Sequence, residues 1–360
     1  GEPDFDTPDH IKEAAKRALD EGFTKYTPAS GIDELKEAVC KRYAKDYGVN
    51  FDVKNVIISC GGKHALYNAL LALLNTGDEV IIVAPYWVSY PPMVELAGGV
   101  PKIVHTSESG AFAPTVEQIE SAITPATRAV IVNSPSNPTG CVIPPDVIED
   151  IYELCRARGI VVISDEIYDR MVYESEPFTM LKLRGADFSS LVVVNGASKT
   201  YSMTGWRIGY TIGDESLIAA MGRIQSQSTS NPTSFAQKGA LEALLGPQDD
   251  FQRMLAEFDE RRRLVYEGLN SIEGITACEP KGAFYIFPNF SAHYGKRTPS
   301  GGTIGGSLDM GEYLLNEAGV CLVPGEPFGS DAHLRMSFAA SRADIEEGLD
   351  RIEKALAKLE

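Results

Sequence analysis

The chain has 360 residues, 44% hydrophobic and 23% charged, which are globular proportions with length for a large buried core and a second, smaller body. Its formal net charge is -17 and its isoelectric point lies near 4.8. So acidic a surface repels phosphate backbones and anionic lipid, which argues against nucleic-acid and membrane partners, and it also serves plain solubility. No run of about 18 apolar residues is present, so no membrane-spanning helix is expected. No signal peptide is visible, although the chain opens abruptly on Gly1-Glu2-Pro3. Cys40, Cys60, Cys141, Cys155, Cys278 and Cys321 are scattered with no CxxC pair. Free thiols in a reducing compartment are expected: the cytoplasm, or an organelle matrix or plastid stroma if a transit peptide has been removed. No metal site is expected. No repeat, low-complexity tract or linker divides the chain.

In chain order, His10 to Leu19 and Ile32 to Tyr47 carry apolar residues at helical spacing. Val56 to Cys60 reads as a buried strand, ended by Gly61-Gly62 and followed by a helix from Lys63 to Leu74. The first amides of such a helix suit a phosphate, although a Gly-Gly turn alone is also an ordinary connection. The strand Glu79 to Val83 leads into Ala84-Pro85-Tyr86-Trp87-Val88-Ser89-Tyr90, an aromatic cluster that is either core or a platform for a flat ligand. Ala129 to Val132 leads into Asn133-Ser134-Pro135-Ser136-Asn137-Pro138-Thr139-Gly140. That stretch is a rigid turn in which a cis Asn137–Pro138 bond would fix the Asn side chain.

Ile160 to Ser164 is the next strand, and Asp165-Glu166-Ile167-Tyr168 follows it. A carboxylate at the end of a buried strand is expensive unless paired. Asp165 is therefore either a helix cap or the partner of a buried cation such as a protonated pyridine nitrogen. Leu191 to Val194 opens onto Asn195-Gly196-Ala197-Ser198-Lys199-Thr200-Tyr201-Ser202-Met203-Thr204-Gly205-Trp206-Arg207-Ile208-Gly209. A lysine among small residues, with an arginine eight positions on, suits a desolvated nucleophilic amine beside a phosphate fork; the alternative is two cations decorating a turn. These runs are nearly continuous in apolar residues and alternate with helices, so an α/β fold with a mainly parallel sheet is predicted. Ligands in such sheets gather at the carboxyl ends of the strands, where all of these clusters fall. From about residue 265 the texture changes: Gly282 to Phe287 and Leu334 to Phe338 read as strands, Asn289 to Gly306 as a surface loop, and the last helix carries Ile345, Leu349, Ile352 and Leu356. This end reads as a smaller α+β domain.

The order and spacing of Gly1-Glu2-Pro3, Ala84 to Tyr90, Ser134 to Gly140, Ser164 to Tyr168 and Ser198 to Gly209 resemble the fold-type-I aminotransferases, and within them the aspartate and prephenate aminotransferases. The likeness runs nearly end to end. It implies a large pyridoxal-5′-phosphate-binding domain over 11–264 and a small substrate-clamping domain of 1–10 and 265–360. It also implies that Lys199 holds the cofactor as a Schiff base and moves the substrate proton. Asp165 would pair with the pyridine nitrogen, Tyr168 and Asn137 with the ring hydroxyl, and Trp87 would stack on the ring. Gly61, Gly62, Lys63, Ser198 and Arg207 would hold the phosphate, joined by Tyr26 from a second subunit of a homodimer with shared sites. Arg335 would bind the substrate α-carboxylate against the backbone of Gly1, with Trp87 and Asn137 nearby, and Lys63 a second carboxylate. The implied substrates are aspartate, glutamate and 2-oxo acids, with prephenate, a lyase reaction and an effector-sensing domain as other readings of the same residues.

Two departures stand out. Gly196 occupies a position where many members carry a phosphate-binding serine. Relatives also carry a further arm ahead of the Gly-Glu-Pro motif, which the sequence given is expected to lack.

Overall fold

Seven short runs of mostly apolar, β-branched-rich sequence form one sheet: β1 (Val56–Ser59), β2 (Glu79–Ala84), β3 (Val100–His105), β4 (Thr127–Asn133), β5 (Val161–Asp165), β6 (Leu191–Gly196) and β7 (Gly209–Ile212). The structure is a computed structural model and describes residues 1–360. The strand order is β1-β7-β6-β5-β4-β2-β3. Pairs β2/β3, β2/β4, β4/β5 and β5/β6 are parallel, while β7 runs antiparallel to both β1 and β6. The mainly parallel α/β sheet is as the sequence predicts.

Side chains alternate between the faces of a strand, and here both faces are buried. Val130, Val132, Leu191 and Val193 pack on one side with Leu35 and Val39 of the helix Asp33–Tyr47 and Ala236 and Ala240 of the helix Ser234–Leu245. Ala129, Ile131, Val192 and Val194 pack on the other with Leu66 and Leu70 of the helix Gly62–Leu73 and Met221 of the helix Glu215–Ser228. Covering both faces is what makes these strands read as unbroken apolar runs.

The topology gathers the strand ends. β1 and β6 both run opposite to β7, so β1, β2, β4, β5 and β6 all finish on the same edge. Gly61, Trp87, Asn137, Asp165 and Lys199 follow or end those five strands.

A second body is built on β8 (Tyr285–Ile286), β9 (Val323–Pro324) and β10 (Leu334–Ser337), an antiparallel sheet in the order β8-β10-β9. It is backed by the helices Ser307–Ala318 and Arg342–Leu356, the latter capped by Ser341 accepting from the Asp344 amide. The helix Asp249–Ser271 runs unbroken through position 264, where a division of the chain is expected. Phe251 and Phe258 before that point and Val265 and Leu269 after it bury in one cluster with Phe284 and Leu334. Each such fully buried large side chain is worth about 1.5–3 kcal/mol, so the helix is anchored to the smaller body along its length.

Three sequence expectations need correction. β3 and β7 were not foreseen: β3 is a half-exposed edge strand containing Pro101 and Lys102, and β7 has only four residues and starts on a glycine. The segment 289–306 is irregular but not simply a surface loop. Phe290, His293 and Ile304 are buried, and Asn289 bridges to both Thr276 and His333.

Candidate active site

At the gathered strand ends lies a cavity of about 390 Å³ between the two bodies. Gly1, Gly62, Lys63, Trp87, Asn137, Asp165, Tyr168, Ser198, Lys199, Arg207 and Arg335 line it. Gly61 lies immediately behind, against the Arg207 guanidinium. Tyr26 is outside the cavity and 90% exposed. A larger groove of about 750 Å³, beside Ala29, Lys54 and Arg223, holds none of these residues.

Lys199 stands in the loop between β6 and β7, whose base is closed by the pair Gly196 and Gly209. A Cβ on Gly209 would lie 2.3 Å from the Gly62 amide nitrogen, so only glycine lets β7 approach the start of the helix Gly62–Leu73. A Cβ on Gly61 would lie 2.5 Å from Arg207 Nη2. Arg207 itself adopts a left-handed backbone (φ 56°) and donates from Nη1 to the Thr204 carbonyl at 2.9 Å. A strained non-glycine residue next to a helix N-terminus, with its guanidinium laid over a glycine, forms an anion cradle. Lys199 is desolvated, and burial, together with the nearby Arg335 and Arg207 guanidinium groups, pulls its amine down to about 8 against the opposing pull of Glu2 and Asp165. Its Nζ donates to the Gly1 carbonyl.

Asp165 ends β5, fully enclosed, and burial pushes its carboxyl up to about 6. Three groups work against that rise: the Tyr90 hydroxyl donating to Oδ2 at 2.6 Å, the Ile167 amide donating to Oδ1 at 3.2 Å, and the Lys199 charge. The turn after β4 is tied to this strand, since Asn133 donates to the Asp165 carbonyl at 3.0 Å and accepts from the Asn137 amide at 3.0 Å. Ser134–Pro135 and Asn137–Pro138 are both cis.

The small body contributes Arg335 from β10. Its Nη1 donates to Asn137 Oδ1 at 3.0 Å, its guanidinium lies 4.8 Å from the Tyr285 ring and 5.0 Å from the Phe328 ring, and its buried Nε has no partner. A planar fork held between two rings, with one N–H unspent, is suited to a carboxylate. Lys63 carries a second cation, 4.9 Å from the Trp87 ring.

Sequence reasoning missed two residues of this cavity. Tyr90 lay inside the aromatic cluster, but nothing in the sequence said which of its rings meets Asp165. Tyr285 read only as a strand residue; its hydroxyl lies 3.0 Å from that of Tyr168 and 3.4 Å from the Gly1 carbonyl. A hydroxyl-bearing ring in an otherwise apolar Ala-Phe-Tyr-Ile-Phe run is the signal that could have marked it.

Comparison with known proteins agrees with this geometry. The family model described as "Aminotransferase class I and II" matches residues 1–352. An aspartate aminotransferase of Geobacillus stearothermophilus is 44% identical, over 98% of this chain and 89% of its own length. An aspartate/prephenate aminotransferase of Cereibacter sphaeroides is 46% identical, over 100% of this chain and 90% of its own. The crystal structure of an aspartate aminotransferase from Rhizobium meliloti superposes with a TM-score of 0.96 at 42% identity, covering 100% of this chain and 90% of that one. An aromatic aminotransferase from Pyrococcus horikoshii gives 0.94 at 38% identity, covering 99% and 94%. The chain belongs to the class I and II aminotransferases.

Proposed function

We propose that this chain is a pyridoxal-5′-phosphate-dependent aminotransferase that moves the amino group between L-aspartate or L-glutamate and 2-oxo acids in a ping-pong cycle. The observation that carries the reading is one cavity that holds a desolvated lysine, a buried carboxylate and two separate cations, Arg335 and Lys63. The residues fit the cofactor: an anion cradle of the Gly61-Gly62-Lys63 backbone turn with Ser198 and Arg207 for its phosphate, and the enclosed Asp165 for its ring nitrogen. When bound, pyridoxal phosphate supplies an electron sink that stabilises negative charge on the substrate Cα.

The chain's residues then divide the remaining work. Lys199 Nζ would hold the cofactor, and its desolvated amine, drawn down to about 8, is suited to carrying the proton of the substrate Cα. Asp165 would pair with the ring nitrogen, Trp87 would stack on the ring, and Tyr168 and Asn137 would hydrogen-bond the ring hydroxyl. Arg335, beside Gly1, binds the α-carboxylate and so selects amino acids over simple amines. The fold is shared with an aromatic aminotransferase, so the dicarboxylate preference rests on Lys63 binding the second carboxylate. Tyr26 completes the phosphate site of a partner subunit in a homodimer, which its exposure and its absence from its own cavity support. The large and small parts act as a cofactor domain and a substrate clamp. The six free cysteines fit a reducing compartment such as the cytoplasm.

Prephenate is the second acceptor to weigh, because a relative 46% identical carries both names and prephenate also offers a second carboxylate. The test is one assay panel: oxaloacetate, 2-oxoglutarate and prephenate as acceptors, with glutamate and aspartate as donors. Cofactor-loaded protein is expected to absorb visible light and to lose that band on adding aspartate or glutamate. Faster loss with alanine or an aromatic amino acid would overturn the dicarboxylate preference. Repeated turnover to a 2-oxo acid and free ammonia with no acceptor present would instead identify a lyase.

A further inference from the structure

Two tyrosine hydroxyls meet at the wall of the cavity. Tyr168, just after β5, and Tyr285, on β8, are both buried, at 3% and 1% exposure, and their rings stand edge-on at 87°. Their oxygens are 3.0 Å apart, and either can donate. The next acceptor for Tyr285 is the Gly1 carbonyl at 3.4 Å, a long contact for a hydroxyl donor. No other hydrogen bond is made by the Tyr168 hydroxyl. An oxygen presented to Tyr168 from the cavity therefore takes its proton, and Tyr285 is then the group left to donate across the pair.

We propose that Tyr285 is a positioning residue acting through Tyr168: its hydroxyl donates to Tyr168 Oη and commits the Tyr168 proton to the ring oxygen of the bound cofactor. This rests on the pyridoxal-phosphate reading above. The two-bond chain Tyr285 to Tyr168 to ring oxygen polarises the second bond, and in a buried site that strengthens donation. The Tyr285 ring has a separate task, since the Arg335 guanidinium lies 4.8 Å from it. Removing only the hydroxyl leaves that ring in place, so the two roles are separable by Tyr285→Phe.

The experiment uses the cofactor-loaded full chain in four forms: wild type, Tyr168→Phe, Tyr285→Phe and the double variant. The readouts are the pH midpoint of the cofactor's visible absorbance change and the Kd of the apoprotein for pyridoxal phosphate. Weaker donation leaves more negative charge on the ring oxygen, which holds a neighbouring proton more tightly. Tyr168→Phe is expected to raise the midpoint, and Tyr285→Phe to raise it by a smaller amount, about 0.5 to 1 pH unit, the size of one hydrogen bond. In the Tyr168→Phe background, Tyr285→Phe is expected to add nothing, because its effect passes through that hydroxyl. A purely structural Tyr285 would lower Tm without moving the midpoint. That result, with Tyr168→Phe still shifting, overturns this proposal alone, as does an equal shift in both backgrounds. A midpoint that Tyr168→Phe does not move overturns the Tyr168 role and this proposal with it. Wild-type protein that binds no pyridoxal phosphate overturns the cofactor reading itself.

Discussion

Lys63 stands in the first turn of a helix, where a cation opposes the helix dipole, and it is exposed at the mouth of the cavity beside Trp87. A side chain placed against its local preference is best explained by a ligand that repays it. Lys63→Ala should lower kcat/KM for aspartate and glutamate by about 10- to 100-fold, the loss of one charge-assisted hydrogen bond, and leave alanine nearly unchanged. Equal losses on all three would remove the role. Tyr90 makes the second prediction at this scale. Its hydroxyl lowers the Asp165 value, which burial has already raised to about 6. In Tyr90→Phe that value rises further, so the carboxylate needed by the cofactor is lost as pH falls through neutrality. Retention of pyridoxal phosphate on dialysis should then begin to fall at a higher pH in the variant than in the wild type, by about one unit, the size of one hydrogen bond. Parallel retention curves would count against it. Lys199 and Asp165 were legible because each breaks a local rule, a charge at or just after the end of a buried strand, and Arg207 by its spacing of eight from Lys199. Tyr285 and Tyr90 were not, because a tyrosine in an apolar run breaks none.

The elements explain why a weak sequence signal, Gly61-Gly62, marks a built junction. The helix start, β7 and Arg207 converge so closely that two glycines are compulsory. Gly61→Ala must also hold alanine at φ 89°, a strained conformation, and it displaces the Arg207 guanidinium. The expected outcome is a Kd for pyridoxal phosphate raised by more than about tenfold, read by titrating the apoprotein, since strain of this kind runs to a few kcal/mol. The end of β5 carries another device. Glu166 is buried, its Oε1 accepts from Ser164 Oγ and the Met180 amide at 2.9 Å each, and its Oε2 has no partner. Burial pushes it up to about 8, so the folded protein holds a proton that the unfolded chain releases near its ordinary value of 4.5. Its stabilising effect is complete below about 4.5 and fades as pH rises toward 8. Glu166→Gln keeps the two acceptor contacts and does not titrate, so its Tm should fall less than the wild type's across that range. Superimposable pH profiles would sink the assignment. The sheet itself was readable where strands are buried on both faces, and unreadable at β3 and β7, where an edge position and a four-residue length erase the apolar run.

At the scale of the molecule, the site is assembled from parts that no local pattern relates. Arg335 meets Asn137 across 198 positions of sequence, and Lys199 meets Gly1 across as many. Physical reading of the sequence found each cluster at a strand end; only the likeness to a known family joined them into one site, and the fold then shows the joining through parallel strands that end on one edge. Tyr26 is the exception, since it is exposed on a surface away from its own cavity. The shared-site reading makes this a property of the dimer. A two-fold interface is reciprocal, so each subunit lends its Tyr26 to the other and borrows one in return. Lys199→Ala and a Tyr26 variant disabled by replacement with a bulky acid should each be inactive as homodimers. Mixed, unfolded and refolded together, they form heterodimers in which one site has its own lysine and a borrowed native tyrosine, while the other has neither. Random pairing of equal amounts restores about a quarter of the wild-type activity, because half of the dimers carry one working site of two. Recovery to that level locates Tyr26 in the partner's site. No recovery, in a mixture shown by mass to contain heterodimers, means that each subunit works with its own residues alone.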